Sequence, residues 1–456
     1  AAGARTATAG VRESASFGRA ITVPGLAALN TGRNANVLSV SCPSPGKCAA
    51  GGSYKNHGIK GFVVSQKNGR WGKAIQVPGL AALNKGGQAE VLSVSCASPG
   101  RCAAGGFYGN HGNPFDPTSG RGFVVSEQNG RWGKAVQVPG LAALNKGGNA
   151  EVNSVSCAPP GYCAAVGFYT DADGHRQGFV AIKSNGVWGR AVGVPGLTAL
   201  NKGGNADVNS VSCASPGNCA AGGYYYSDSS GHREAFVASE NDGSWGTAQQ
   251  VAGNLNVGKI AGINSVSCAS AGNCSAGGGY RDGSENYQAF VISEVNGSWA
   301  AAQEVAGNLN SNGLASVDSV SCASPGNCSA GGDYDYDYNF GFVVSEKNGV
   351  WGKAINVPGL GKLAFRFSDV MSVSCASAGN CAAGGDYETP GGSQGFVAVQ
   401  KNGVWTKAIT VPGLGSLKKG RFAGVESVSC ATAGSCTAGG YYSPTDRRIT
   451  FQGFLT

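Results

Sequence analysis

Val91-Leu92-Ser93-Val94-Ser95-Cys96-Ala97-Ser98-Pro99-Gly100-Arg101-Cys102-Ala103-Ala104-Gly105-Gly106-Phe107-Tyr108 is the stretch on which the fold turns. Short apolar and small residues lead up to Cys96, and a second such run leads away from Cys102. Pro99 and Gly100 between them are turn residues, so the stretch is two strands closed by a tight turn, with a disulfide pinning the register. So small a loop removes little entropy from the unfolded chain, on the order of 2 kcal/mol. The block recurs around Cys42/Cys48, Cys96/Cys102, Cys157/Cys163, Cys213/Cys219, Cys268/Cys274, Cys322/Cys328, Cys375/Cys381 and Cys430/Cys436, which uses all 16 cysteines. One supersecondary unit is therefore copied eight times, and the architecture follows from how eight such units share a core.

Outward from the hairpin, Gly122-Phe123-Val124-Val125-Ser126-Glu127 reads as a third strand. Asn129-Gly130 is a strong signal for a tight hairpin turn, and Trp132-Gly133-Lys134-Ala135-Val136 reads as a fourth strand. The turn recurs as Asn-Gly at 68–69, 185–186, 296–297, 348–349 and 402–403 and as Asp242-Gly243. Trp follows two residues after each Gly, at Trp71, Trp132, Trp188, Trp245, Trp299, Trp351 and Trp405. Side-chain size rises along the unit, from Ser, Cys, Ala and Gly to Phe, Val, Ile and Trp. Sheets that converge on an axis need small residues inside and large ones outside. The reading is an all-β, eight-bladed β-propeller with four-stranded blades. A linear solenoid would show no such gradient and would need end caps.

The chain ends bear on closure. Phe17-Gly18-Arg19-Ala20-Ile21 matches the Trp-bearing fourth strand, and the last repeat stops within its third strand at Gly453-Phe454-Leu455-Thr456. The N-terminal strand, 17–23, is expected to complete the last blade, in a closure that resembles the Velcro of the β-propeller superfamily. Residues 17–456 then form one propeller and residues 1–16 an N-terminal arm.

Bulk composition narrows the classes. Only 13% of the 456 residues are charged and 77 are Gly, which suits short strands and tight turns. Paired cysteines in every repeat fit an oxidising, extracellular compartment. Zinc would need thiolates in fours at closer spacing, and the four histidines do not sit beside the cysteine pairs. Ala1-Ala2-Gly3-Ala4 looks like the mature end left by removal of a secretory signal, and no apolar run approaches the roughly 18 residues of a membrane span. A net charge of +8 is modest for this length, and no basic run with interleaved aromatics points to nucleic acid. No cofactor is expected.

Two resemblances add to this. The hairpin Ser239-Glu240-Asn241-Asp242-Gly243-Ser244-Trp245 resembles the Asp-box of sialidase-type propellers, one residue shorter and with Asn for Asp in most copies. It implies a structural turn, since no arginine triad or catalytic set of that family is identifiable. The repeat Val-Pro-Gly-Leu-Ala-Ala-Leu-Asn, Ser-Val-Ser-Cys, Gly-Phe-Val-Val-Ser-Glu, Asn-Gly and Trp-Gly resembles the secreted, cysteine-paired propeller repeats of actinobacteria over all eight copies. That likeness implies a secreted, lectin-like propeller.

Strand order puts the Cys and Asn-Gly turns on one face, here the bottom. The variable loops between second and third strands share the top with the blade connections, and ligands usually meet rigid folds through such loops. Three sets of top-face residues are candidates. A Tyr stands six residues after the second Cys of every repeat: Tyr54, Tyr108, Tyr169, Tyr225, Tyr280, Tyr334, Tyr387 and Tyr442. Stacking on sugars and filling the gaps between blades are the competing readings. The residue four before the first Cys varies, reading Leu38, Leu92, Asn153, Asn209, Asn264, Asp318, Met371 and Glu426, and is expected to rim the channel. Its polar members are candidate ligand contacts. All four histidines, His57, His111, His175 and His232, fall in top loops of consecutive blades.

Weaker signals accompany these. Asp171-Ala172-Asp173-Gly174 hints at a calcium turn but lacks the later bidentate Glu. Asp333 to Tyr338 is acidic and aromatic, and Arg33, Lys85, Lys146 and Lys202 follow the blade connections. The expected function is a secreted, non-catalytic carbohydrate-binding protein with a cell-surface glycan as partner. A protein-docking subunit of a secreted toxin or inhibitor assembly is one alternative, and a polysaccharide hydrolase or lyase with a central pocket is another.

Overall fold

The computed structural model describes residues 17–85, 87–109, 120–311, 313–335, 340–445 and 450–456. The expected arm lies outside them, as do His111, Tyr336, Asp337 and Tyr338. Eight antiparallel sheets follow one another along the chain as an eight-bladed propeller. In the second blade the inner strand Ala89–Ser98 is followed by Arg101–Gly109 and Gly120–Gln128.

The outer strand departs from the continuous run expected over 132–136. It consists of two pieces, Arg131–Trp132 and Val136–Gln137, both paired to the third strand. Between them Ala135 N leaves the sheet and donates to Pro78 O of the preceding blade connection at 2.7 Å. Ala20, Ala74, Ala191, Ala248 and Ala408 make the same bond, so each of these outer strands is broken in order to hook the neighbouring blade. In the blade connection, Leu80–Leu83 is a single helical turn whose first Leu is buried.

Apolar packing is distributed over the seams. Phe62, Phe123, Phe179, Phe236, Phe290, Phe342, Phe396 and Phe454, one from each third strand, are fully buried. The clusters straddle two blades; Val63 and Leu80 of the first blade and its connection pack with Val91, Val94 and Phe123 of the second. Gly51 is required here, because a Cβ would lie 2.6 Å from Val91 Cγ1 across the seam.

The constancy of Ser-Val-Ser has a hydrogen-bonding cause. An inner strand is the edge of its sheet, so alternate N–H groups face the channel without a ladder partner. The preceding blade supplies the acceptors: Ser39 Oγ takes Val94 N–H at 2.9 Å and Ser41 Oγ takes Cys96 N–H at 3.0 Å. All eight seams repeat the pair, including the closing one, where Ser427 and Ser429 accept from Val40 and Cys42 at 3.1 and 2.9 Å. Closure adds a two-residue ladder, Ile21 opposite Leu455 and Thr22 opposite Phe454.

All eight expected disulfides are present at the feet of these inner hairpins, with Cα–Cα distances of 3.9 to 4.1 Å. The second cysteine of each pair, Cys48, Cys102, Cys163, Cys219, Cys274, Cys328, Cys381 or Cys436, is buried. It stands on the second strand and faces the seam, where its sulfur meets the preceding blade. Cys48 Sγ lies 3.7 Å from Thr437 Oγ1, Cys328 Sγ 3.4 Å from Ser275 Oγ and Cys381 Sγ 3.4 Å from Ser329 Oγ. Although these cysteines stand among the residues singled out from the sequence, burial makes them scaffold and closes them to a ligand.

An outer belt serves the indoles as the serines serve the inner strands. Trp132 Nε1 donates to Ser65 Oγ at 2.9 Å, and that hydroxyl donates to Glu127 Oε1 at 2.6 Å. Trp299, Ser239 and Glu294 repeat the relay, as do Trp351, Ser293 and Glu346. Among the described residues no helix is long and apolar enough to cross a membrane.

Candidate functional site

In each inner strand the register slips at the variable position four before the first Cys, as between Val91 and Ser93 opposite Gly106 and Gly105. Leu38, Leu92, Asn153, Asn209, Asn264, Asp318, Met371 and Glu426 are therefore β-bulge residues, and a bulge re-aims its side chain out of the ladder. The three asparagines use that freedom within the scaffold. Asn153, Asn209 and Asn264 donate through Nδ2 to the carbonyls of Val208, Ile263 and Val317, one residue before the next bulge, at 3.0, 2.8 and 3.0 Å.

The bulge and its neighbours also gather carboxyl groups at the channel mouth. Asp318 and Asp333 of the sixth blade share a hydrogen bond; burial, then the adjacent Asp333 carboxylate, holds Asp318 well above the usual carboxylate range. Burial, then the charge of Glu426, pushes Asp386 up to about 7, and burial raises Glu426 itself while Asn36 Nδ2 donates to its Oε1 at 3.2 Å. On the other side burial, then the charge of Asp207, pushes Glu151 up to about 7. Asp207 is raised by burial although Arg176 Nη2 lies 2.7 Å from its Oδ2, and that guanidinium also stacks 3.3 Å over the Phe168 ring. Burial thus shifts Asp318, Asp386, Glu426 and Glu151 toward the protonated form.

Between the eighth and first blades the same top face opens into a pocket of about 430 Å³ lined by Asn34, Asn36, Phe422, Tyr441 and Phe451. Tyr441 and Phe451 meet edge to face at 5.3 Å and 88°, and Phe422 lies 6.3 Å from Phe451. All three rings are partly exposed. Gly424, opposite Tyr441, leaves the space its ring occupies, since a Cβ there would approach the ring to 3.0 Å. Burial, then the nearby Asp386 and Glu426 charges, pushes the Tyr441 hydroxyl up to about 12.

The tyrosines singled out from the sequence lie elsewhere. Tyr54, Tyr108, Tyr169, Tyr225, Tyr280, Tyr334, Tyr387 and Tyr442 are all 2–8% exposed and sit in the seam clusters. Their hydroxyls brace the outer strand: Tyr280 donates to Glu304 Oε2 and Tyr334 to Asn356 Oδ1, both at 2.7 Å. A sugar stacks on an open ring face, and these faces are closed. Strand alternation explains the offset. The neighbouring residue, five after the second Cys, points the other way and varies as Ser53, Phe107, Phe168, Tyr224, Gly279, Asp333, Asp386 and Tyr441.

The described histidines do not converge. His57 pairs its ring with Asn56 Oδ1 at 2.9 Å, and His232 with Asp228 Oδ2 at 2.5 Å, each within its own loop. Asp171, Asp173 and His175 bring one ligand atom each to within 4.8 Å of one another. Asp171 Oδ1, however, already caps its loop by accepting the N–H groups of Asp173 and His175. Asp282 caps the fifth-blade loop in the same way, through Ser284 and Asn286, so the motif is a turn device. Arg33, Lys85, Lys146 and Lys202 are exposed.

No family model matches the chain, and no curated protein matches it. Solved structures resemble the chain at low identity and with TM-scores below 0.5. Sqt1 from Chaetomium thermophilum is 13% identical, with 93% of this chain and 96% of that one covered and a TM-score of 0.47. A xyloglucanase from Xanthomonas campestris is 11% identical over 95% of this chain and 55% of its own, with a TM-score of 0.44. A polysaccharide lyase described as an ulvan lyase is 12% identical over 80% and 90%, with a TM-score of 0.42.

Proposed function

We propose that the protein is an extracellular, non-catalytic carbohydrate-binding propeller that seats a sugar in the top-face pocket between its last and first blades. The observation that carries this reading is the trio Phe422, Tyr441 and Phe451, whose rings are partly exposed around a pocket of about 430 Å³ with the Asn34 and Asn36 amides beside them. Aromatic faces with a few polar groups at the edge suit the C–H surfaces and hydroxyls of a saccharide. Asp386 and Glu426 stand beyond the pocket, and burial shifts both toward the protonated form. Eight disulfides in a chain of 456 residues support an oxidising compartment.

The test is a glycan array with salt controls, followed by titration of the best ligand. Tyr441→Ala and Phe451→Ala should each weaken binding at least tenfold, and Tyr280→Phe, in a seam, should leave it unchanged. Silence across the array would reject the reading and favour docking of a protein on this face.

One observation favours a second reading. Asp318 and Asp386, each raised by burial and then by the charge of a neighbouring carboxylate, Asp333 or Glu426, are the kind of carboxyl groups that act as general acids near neutral pH. Polysaccharide hydrolase or lyase activity lost in Asp386→Asn and Asp318→Asn would establish it.

A further inference from the structure

The bottom face carries a second feature, at the foot of the third blade. Where the second and fourth blades turn on Ser98-Pro99-Gly100-Arg101 and Ser215-Pro216-Gly217-Asn218, the third has Pro159-Pro160-Gly161-Tyr162. Its third strand replaces the belt residues Ser126-Glu127 and Ser239-Glu240 with Ile182-Lys183. The consequences spread to both seams. Trp245, whose acceptor would be a serine in place of Ile182, has its indole N–H buried without a partner among the described residues. Glu240, deprived of the same hydroxyl, takes a 2.6 Å hydrogen bond from Tyr162 Oη instead.

Lys183 is the centre of the change. The corresponding residue in the other blades is Gln66, Glu127, Glu240, Glu294, Glu346 or Gln400, so the charge at this place is reversed. Lys183 is only 4% exposed. It lines a pocket of about 410 Å³ together with Arg101, Gln128, Asn129, Tyr162 and Asn185. Among the described residues no hydrogen bond or ion pair reaches its ammonium. Arg101, held by Pro160 O at 3.1 Å, brings a second cation into the same pocket. Glu127, the one carboxylate on the wall among the described residues, accepts from Ser65 Oγ. Burial, then the charge of Arg101, lowers the hold of Lys183 on its proton. An ammonium that no described residue pairs, beside a guanidinium in the same pocket, leaves two cations for an anion to complete.

We propose that this bottom-face pocket is an anion site that takes a single acidic sugar unit, a uronate or a sulfated monosaccharide, with its anionic group on Lys183 and Arg101. A volume of about 410 Å³ exceeds that of a bare oxyanion. The amides of Gln128, Asn129 and Asn185 offer hydroxyl partners around the ring. The site shares no residue with the top-face pocket and does not depend on it.

Three probes test this by calorimetry at matched ionic strength: sodium glucuronate, sodium sulfate and glucose. The intact protein should bind glucuronate saturably and more tightly than sulfate, with no response to glucose. Lys183→Gln, which installs the residue of the first and seventh blades, should weaken glucuronate at least tenfold while keeping the wild-type melting profile. Lys183→Arg should retain binding, and Tyr441→Ala should leave it unchanged. Equal affinity for sulfate and glucuronate would overturn the sugar assignment. Wild-type glucuronate binding by Lys183→Gln and Arg101→Gln, or no saturable response to either anion, would overturn the site.

Discussion

Removing the two serine hydroxyls at the closing seam, Ser427→Ala with Ser429→Ala, tests what fastens the ring. Each Oγ accepts one backbone N–H from the first blade, Val40 at 3.1 Å and Cys42 at 2.9 Å. A net hydrogen bond contributes about 1 kcal/mol, so the pair contributes about 2 kcal/mol, or about 30-fold in a local opening equilibrium. Global melting is a poor readout, because a protein of this size has an unfolding entropy that turns 2 kcal/mol into about 2 °C. Native-state hydrogen exchange reads the seam directly. The Val40 and Cys42 amides should exchange about 30-fold faster in the double variant, with Val320 and Cys322 unchanged. Ser265→Ala with Ser267→Ala should give the reverse pattern, since those hydroxyls serve Val320 and Cys322. Unaltered exchange at 40 and 42 would mean that channel water replaces the hydroxyls at no cost, and the account of Ser-Val-Ser would fail.

Three further outcomes are expected. Gly277→Ala should destabilise by about 1 to 3 kcal/mol in chemical denaturation, because its Cβ would fall 2.5 Å from Val317 Cγ1 and 2.9 Å from Val320 Cγ2 across a seam. In proton–nitrogen spectra the Trp245 indole N–H should lie upfield of those of Trp132 and Trp299, and Ile182→Ser should move it downfield by restoring an acceptor. Asp386 has its folded-state value raised to about 7 against an ordinary value near 3.8. Its neutral form is therefore favoured by folding: that stability is complete below pH ~4 and is lost as pH rises through about 7. Asp386→Asn should be more stable than wild type at pH 8 by on the order of 4 kcal/mol, with the gap vanishing at pH 4. A pH-independent gap would show that the carboxyl is not buried as described.

The propeller was legible because its causes are local and repeated. Pro99-Gly100, Asn129-Gly130 and the size gradient each act within one unit, and eight copies made the pattern plain. The cysteine pairing was legible for the same reason; that the second sulfur of each pair packs against the neighbouring blade, as Cys328 does on Ser275, was not. Nor was the break in the outer strand, since its cause is a bond from Ala135 to Pro78 in another blade. The candidate site was approached but missed by one position. Tyr442 recurs in every blade because every seam has the same gap to fill; Tyr441, beside it, faces the pocket and has no counterpart rule to reveal it. Phe422 and Phe451 gave no signal of their own, because they become neighbours only when the ring closes.

A closed ring of copies carries its own control. Any residue that serves a seam meets the same demand eight times and should be constant, as the serines and the buried tyrosines are. A ligand meets the ring at one place, so its contacts must break the repeat. Breaking it at a seam has a cost that can be located. Across the seam from the third blade the indole of Trp245 has no acceptor among the described residues, about 1 to 3 kcal/mol for a fully buried group, and among the described residues nothing pairs with the lysine that stands where glutamate or glutamine serves elsewhere. A drifting scaffold position would tend toward the belt residues already proven in its neighbours. Four departures at the foot of one blade, Pro159, Tyr162, Ile182 and Lys183, instead come together, and two of them, Tyr162 and Lys183, line the pocket. Their coupling is the reason to look for an anion there. A double variant, Ile182→Ser with Lys183→Glu, restores the belt residues of the neighbouring blades and should gain the relay and lose the ligand in the same step.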